Sequence, residues 1–244
     1  MLSAAVISCA AVIFTALIVS VAGTQDGAFA AKKGLVNENG YIHFYRNGKL
    51  VKNEAVKVDG TTYFFSAKGR GFISIMSKSG NKAVSNLIDK VTFTEGMTKK
   101  TKLRRLYRKV RLFKYTAYDE EAPKTKVGWY KLAKKTTERK GAKCYGYAAT
   151  SAVLAKAMGY KNVRIRYGRC TRPGKGISKH AWVTVGKYVI DGSYDNSYMW
   201  NCKNRGVDST KLIFFMKTYD AIKNKNPKAY RVTYTKIVRT CKIS

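Results

Sequence analysis

From residue 34 to 70 the chain alternates apolar and polar positions in short runs broken by turn dipeptides. Asn39-Gly40 precedes Tyr41-Ile42-His43-Phe44-Tyr45, and twenty residues later Asp59-Gly60 precedes Thr61-Thr62-Tyr63-Phe64-Phe65. Asn-Gly and Asp-Gly tolerate the positive φ of tight turns, and the aromatics that follow suit strands. With Asn47-Gly48 as a further turn, the segment predicts β-hairpins repeated at a fixed period. Residues 71–97 carry Gly, Ser and Asn with weak patterning and predict a connector. Near Thr98 the period changes: Leu103, Leu106, Tyr107, Val110 and Phe113 recur at helical spacing. Lys100, Arg104, Arg105, Arg108 and Arg111 take the other positions and predict a basic face. A second helix is expected beyond Cys144, where Ala148, Ala152, Val153, Leu154, Ala155 and Met158 lead to Gly159, a good helix terminator. His180 to Val185 alternates, Gly186-Lys187 follows, and Tyr188 to Asp191 completes a tight hairpin. Lys211–Met216 predicts a buried strand and Tyr230–Val238 a closing strand, so the fold class is α+β.

Charge adds a constraint that the pattern lacks. Against 14 Asp and Glu stand 48 Lys and Arg, a formal net charge of +34, and such a field attracts polyanions. With 45% hydrophobic residues and three prolines, disorder over most of the chain is excluded. Residues 1–23 are almost wholly apolar, and Ala28-Phe29-Ala30 fits the small-x-small pattern of signal-peptide cleavage. Residues 1–30 are therefore expected to be a signal peptide, or a membrane anchor if uncleaved. An exported chain seldom meets nucleic acid, so the expected location is secreted, extracellular or wall-associated, with an anionic cell-wall polymer or peptidoglycan as partner.

Candidate chemistry centres on few residues. After residue 30 only His43 and His180 remain, and His43 lies within the aromatic repeat. With Gly186 and Lys187 as turn residues, Val185 pairs with Tyr188 and Val183 with Ile190. His180 and Asp191 then fall on one face as diagonal neighbours. A carboxylate there fixes the imidazole tautomer and stabilises the imidazolium. Cys144 opens the predicted second helix, where unsatisfied amides and the helix dipole favour negative charge and offer donors to an oxyanion. Of the other cysteines, Cys170 and Cys202 flank the His180 hairpin and are the expected disulfide. A Cys/His cluster at ligand spacing is absent, so neither metal nor cofactor is expected.

Two resemblances follow from these residues. The hairpin segment resembles the choline- or glucan-binding repeats of Gram-positive surface proteins, which implies that Tyr41, Phe44, Tyr45, Tyr63, Phe64 and Phe65 bind cell-wall polymer. Lys140-Gly141-Ala142-Lys143-Cys144-Tyr145-Gly146, His180-Ala181-Trp182-Val183 and Ile190-Asp191-Gly192-Ser193-Tyr194-Asp195 resemble the transglutaminase-like domain of the papain-type cysteine enzymes. That resemblance implies a papain-like core in which a Cys-bearing helix packs on an antiparallel sheet. It makes Cys144 the nucleophile, His180 the acid and base, and Asp191 the orienting residue. The implied organisation is 1–30 signal or anchor, 31–70 hairpin repeats, 71–97 connector and 98–244 catalytic domain. The implied function is amide cleavage or deamidation of a peptide or protein substrate. Protein cross-linking and an inactive wall-binding protein are the alternatives.

Overall fold

Turn chemistry organises the first sheet of the computed structural model, which describes residues 32–116, 121–207 and 209–243. The expected export segment, residues 1–30, lies outside the described residues. β1 (Gly34–Glu38) and β2 (Tyr41–Arg46) close around Asn39-Gly40, β3 (Lys49–Leu50) folds back on β2 around Asn47-Gly48, and β4 (Glu54–Val58) pairs with β5 (Thr61–Phe65) around Asp59-Gly60. Both residues of each turn have positive φ: 51° and 77°, 49° and 74°, 45° and 74°. This is the type I′ geometry whose twist matches paired strands. β6 (Gly71–Ile73) bridges the hairpins through Ile42↔Gly71 and Phe64↔Phe72, giving the order β1-β2-β6-β5-β4.

The first sheet packs its aromatics inward, which corrects part of the wall-binding expectation. Tyr41 and Phe65 are buried. The Tyr41 hydroxyl donates to the Val91 carbonyl and accepts from the Phe93 N–H, so its polar end is spent on the fold. Phe64 packs against the core, and Phe44, Tyr45 and Tyr63 are half-buried. Residues 71–97, expected as a connector, hold β6 and α1 (Lys78–Ile88), a helix capped by the Ser77 side chain on the Gly80 N–H. Phe72, Ile75, Val84, Leu87 and Ile88 from this stretch are core residues.

α2 (Lys99–Arg111) starts at Thr98, whose hydroxyl accepts from the Thr101 N–H. Its stripe of Leu103, Leu106, Tyr107 and Val110 is buried, as the spacing predicted. Arg111 is not on the solvated face. It lies four residues after Tyr107, on the same side of the helix, and donates to the carbonyls of Ser209, Thr210 and Lys211 at 2.9, 3.4 and 3.1 Å.

β7 (Lys114–Tyr115) and β8 (Gly141–Ala142) form a short parallel pair on either side of α3 (Lys126–Arg139). α4 (Cys144–Ala157) follows and ends where predicted: the Tyr160 N–H returns to Ala155 and the Gly159 N–H to Lys156, at 3.1 and 2.9 Å. These are the two bonds of a Schellman cap. Next come β9 (Val163–Arg172), β10 (Lys175–Val185), β11 (Tyr188–Ile190), α5 (Gly192–Lys203), β12 (Phe215–Lys217), α6 (Tyr219–Lys225), a 3₁₀ turn at Lys228–Tyr230 and β13 (Thr233–Lys242). The second sheet is antiparallel, in the order β12-β11-β10-β9-β13.

Two strands differ from expectation. Lys211–Phe214 does not pair as a strand, because the Ile213 and Phe214 N–H groups are taken by the buried Asp195 carboxylate at 2.7 and 3.1 Å. Pairing begins only at Phe215. The closing strand starts at Thr233 rather than Tyr230, whose buried ring packs on Tyr198 and Phe214. One core runs from Tyr41 and Phe72 of the first sheet through α1 to α4 to Val183 and Ile190 of the second. Residues from Lys32 onward form one unit, and among the described residues no helix is long and apolar enough to cross a membrane.

Candidate active site

The register that places the imidazole is the one the sequence predicted. Val183 pairs with Ile190 and Val185 with Tyr188 around Gly186-Lys187. Along β10, Lys175–Lys179 are exposed and His180–Val185 buried, so His180 is the first side chain to enter the interior. β11 stops at Ile190, and Asp191 becomes the N-cap of α5, its carboxylate accepting from the Tyr194 N–H. The same carboxylate lies 2.6 Å from His180 Nε2 and accepts from the Ser193 and Tyr234 hydroxyls, each at 2.9 Å. Four donors thus fix a carboxylate that is 1% exposed.

Cys144 is the first residue of α4, with Lys143 as a cap that offers no side-chain bond. α4 packs on β10 and β9, so that Cys144 and His180 line the same cleft. With Nε2 held by Asp191, the other ring nitrogen is free for the sulfur. Burial opposes charging of His180, but the Asp191 carboxylate and the Cys144 sulfur outweigh it and hold its pKa well above the usual imidazole value. The three residues singled out from sequence are therefore brought together.

Residues that the sequence did not single out complete the surroundings. Tyr194 stacks on His180 at 4.4 Å, and its hydroxyl lies 3.0 Å from Cys170 Sγ. Trp182 lies behind, bonded through Nε1 to the Tyr219 hydroxyl and tilted against Tyr234 at 4.5 Å. Tyr115 of β7 lines the same cleft; burial and the nearby Cys144 push its phenol up to about 12. Ser193 and Tyr194 lie inside the Asp191 motif and Tyr234 on the predicted closing strand, so their proximity was within reach of the pattern. Tyr115 carried no signal, since a two-residue strand has no periodicity. Gly168, opposite His180 in the ladder, is required by close approach: a Cβ there would meet the Lys236 carbonyl oxygen at 1.9 Å.

A cleft of about 450 Å³ opens over the thiol, lined among others by Tyr115, Cys144, Arg172, Lys179, His180 and Trp200. The Arg172 guanidinium lies 5.0 Å from the Tyr194 ring centre, one ring removed from the imidazole. Trp129, the tryptophan nearest before Cys144, is buried in the core on α3 and does not line this cleft.

The expected Cys170–Cys202 disulfide is not formed; both are free thiols, as are Cys144 and Cys241. Cys170 Sγ meets the Tyr194 hydroxyl instead, and Cys202 lies in the last turn of α5, eight residues beyond Tyr194. Among the described residues no three His, Cys, Asp or Glu side chains cluster as metal ligands.

Residues 86–200 match the model of the transglutaminase-like superfamily. No curated protein and no solved structure matched the chain. The match begins within α1, upstream of the boundary at 98 expected from sequence, and runs to Trp200 in α5. It includes Cys144, His180 and Asp191, and supports a cysteine-dependent enzyme family in general.

Proposed function

We propose that this chain is an exported cysteine enzyme that cleaves or deamidates peptide amides through a thioester. The observation that carries the reading is that Cys144 and His180 line one open cleft while Asp191 holds the imidazole at 2.6 Å. Cys144 attacks the amide carbonyl and passes its proton to His180, which delivers it to the departing amine. His180 then takes a proton from water, whose oxygen attacks the thioester and releases the acid and the thiol. Asp191 keeps the ring oriented and stabilises the imidazolium in both halves. The backbone amide of Cys144 at the start of α4 and the Tyr115 hydroxyl, which lines the same cleft, are the donors assigned to the oxyanion in this reading. A helix bearing the thiol packed on the sheet that bears His180, with Asp191 directly after β11 at the start of α5, supports the papain-like arrangement.

Water is the acceptor in this reading. Arg172 and Lys179 line the cleft, and none of its described lining residues is acidic, so an ammonium acceptor is repelled and an acidic acyl donor attracted. The apolar segment at 1–23 and the +34 charge support action outside the cell beside a polyanionic wall. The test is incubation with a peptide library and a labelled primary amine, read by mass spectrometry. Cleaved or deamidated peptides that vanish with Cys144→Ala are the expected products. Amine incorporation as the main product would replace hydrolysis by cross-linking, and no product from any donor would sink the enzymatic reading.

A further inference from the structure

We infer that a second cleft, walled by α2 and the segment leading into β12, binds a base-free polyol-phosphate polymer and anchors the protein to it. This cleft, about 470 Å³, is lined by Lys100, Arg104, Arg108, Lys211 and Lys217 over a floor that includes Phe215. It shares no lining residue with the cleft over Cys144. All five cations are exposed, none forms an ion pair among the described residues, and no described acidic residue lines the cleft.

The arrangement is specific beyond the general basicity of the chain. Lys100, Arg104 and Arg108 are spaced four apart, so they form one row along α2 about 12 Å long. Like charges at that spacing repel and destabilise a helix, and α2 contains no acidic residue to offset them. Lys211 and Lys217 add charge from the opposite wall. A single small anion cannot reach the whole row, whereas a linear polymer with a charge on every repeat can. The two arginines present planar forks suited to phosphate oxygens.

The floor argues against nucleic acid. Single-stranded nucleic acid is held largely by bases stacking on aromatic rings. Phe215 is buried at 5% exposure, with Tyr107 against it at 4.9 Å and the Arg104 guanidinium 5.9 Å from its centre. It offers no free face to a base.

The experiment titrates the full chain with fluorescent poly(glycerol phosphate) at several salt concentrations. The triple variant Lys100→Gln, Arg104→Gln, Arg108→Gln should bind at least about tenfold more weakly. The slope of log affinity against log salt should fall by about 2 to 3, since each lost phosphate contact removes somewhat less than one unit. A control that removes three exposed lysines elsewhere, Lys52→Gln, Lys57→Gln, Lys68→Gln, should weaken binding less than about threefold. Lys211→Gln with Lys217→Gln should reproduce the loss from the other wall. Melting temperatures should not fall below the parent's in any variant, with a small rise in the α2 triple from relieved repulsion, and Cys144-dependent turnover of a small peptide should stay at the parent level, which separates this site from the catalytic reading. Equal losses from the α2 triple and the control would overturn the proposal. So would equal or tighter binding of a single-stranded oligonucleotide or an anionic lipid vesicle.

Discussion

In the first sheet an ion pair stands in water: Arg46 meets Glu54 at 2.8 Å with both side chains about half exposed. Around the second sheet the site's ionisable groups are inside, with His180 on β10 5% exposed and Asp191 and Asp195 at the start of α5 1% and 0% exposed. The hairpins of the first sheet close on dipeptides whose backbone preference is local. The second sheet also has a local turn at Gly186-Lys187, but its polar groups are satisfied from elements far away in sequence. Tyr234 reaches Asp191 from 43 residues on, and Tyr107 reaches Asp195 from 88 residues before. A sheet held by turns tolerates loss of a charge, whereas a buried carboxylate depends on every donor that replaced its water.

The largest effect should come from the buried triad. Cys144→Ala and His180→Ala should each lower turnover by about six orders of magnitude, as for other nucleophile and base removals. Asp191→Asn should cost about four orders while leaving the α5 cap in place, so its melting curve should shift less than that of Asp191→Ala. Comparable losses of activity and stability in that variant would show that the Asp191 network serves the fold rather than the imidazole.

Asp195 sharpens the contrast through stability. Asp195→Ala removes the acceptor of the Tyr107 hydroxyl and of the Ile213 and Phe214 amides. At about 1 kcal/mol per bond it should cost about 3 kcal/mol in urea unfolding. Burial raises its carboxyl to about 7, although the same three bonds and Arg111 pull the other way. The folded state therefore keeps a proton that the unfolded chain releases near pH 4. Its contribution to stability is complete below that pH and is lost as pH rises through about 7. Asp195→Asn should flatten the fall in stability between pH 4 and 7; an unchanged slope would mean that another group titrates there.

Paired glycine substitutions compare the two sheets directly. Gly168→Ala forces β13 away from β9 and should cost about 3 kcal/mol or more, with loss of turnover as Tyr234 moves off Asp191. Gly60→Ala meets no atom within 4 Å and bears only the strain of φ 74°, about 1 kcal/mol. Similar thermal shifts for both would remove the distinction. Smallest of all, Arg46→Gln should leave the melting temperature within measurement scatter, because an exposed pair is screened by water and salt.

Much of the site was legible because its geometry is local. The two-residue turn at Gly186-Lys187 fixes which residues oppose one another, and that placed His180 beside Asp191. Helical spacing marked the start of α4 at Cys144 and its end at Gly159, and gave the inward stripe of α2. The expected strand at Lys211–Met216 failed at its first half because a carboxylate from α5 took the amides that pairing needed.

By itself, the sequence determined the three type I′ turns, the register of the β10–β11 hairpin and the position of the nucleophile at a helix start. Each depends on backbone preferences within a few residues. Tertiary packing alone decided that Tyr41 and Phe65 face the core, that Arg111 turns inward to three carbonyls, that residues 71–97 fold as strand and helix, and that Cys170 meets Tyr194 rather than Cys202. The pattern of a strand or helix says which residues share a face. Which face is covered, and by what, depends on elements that only the folded chain brings within reach.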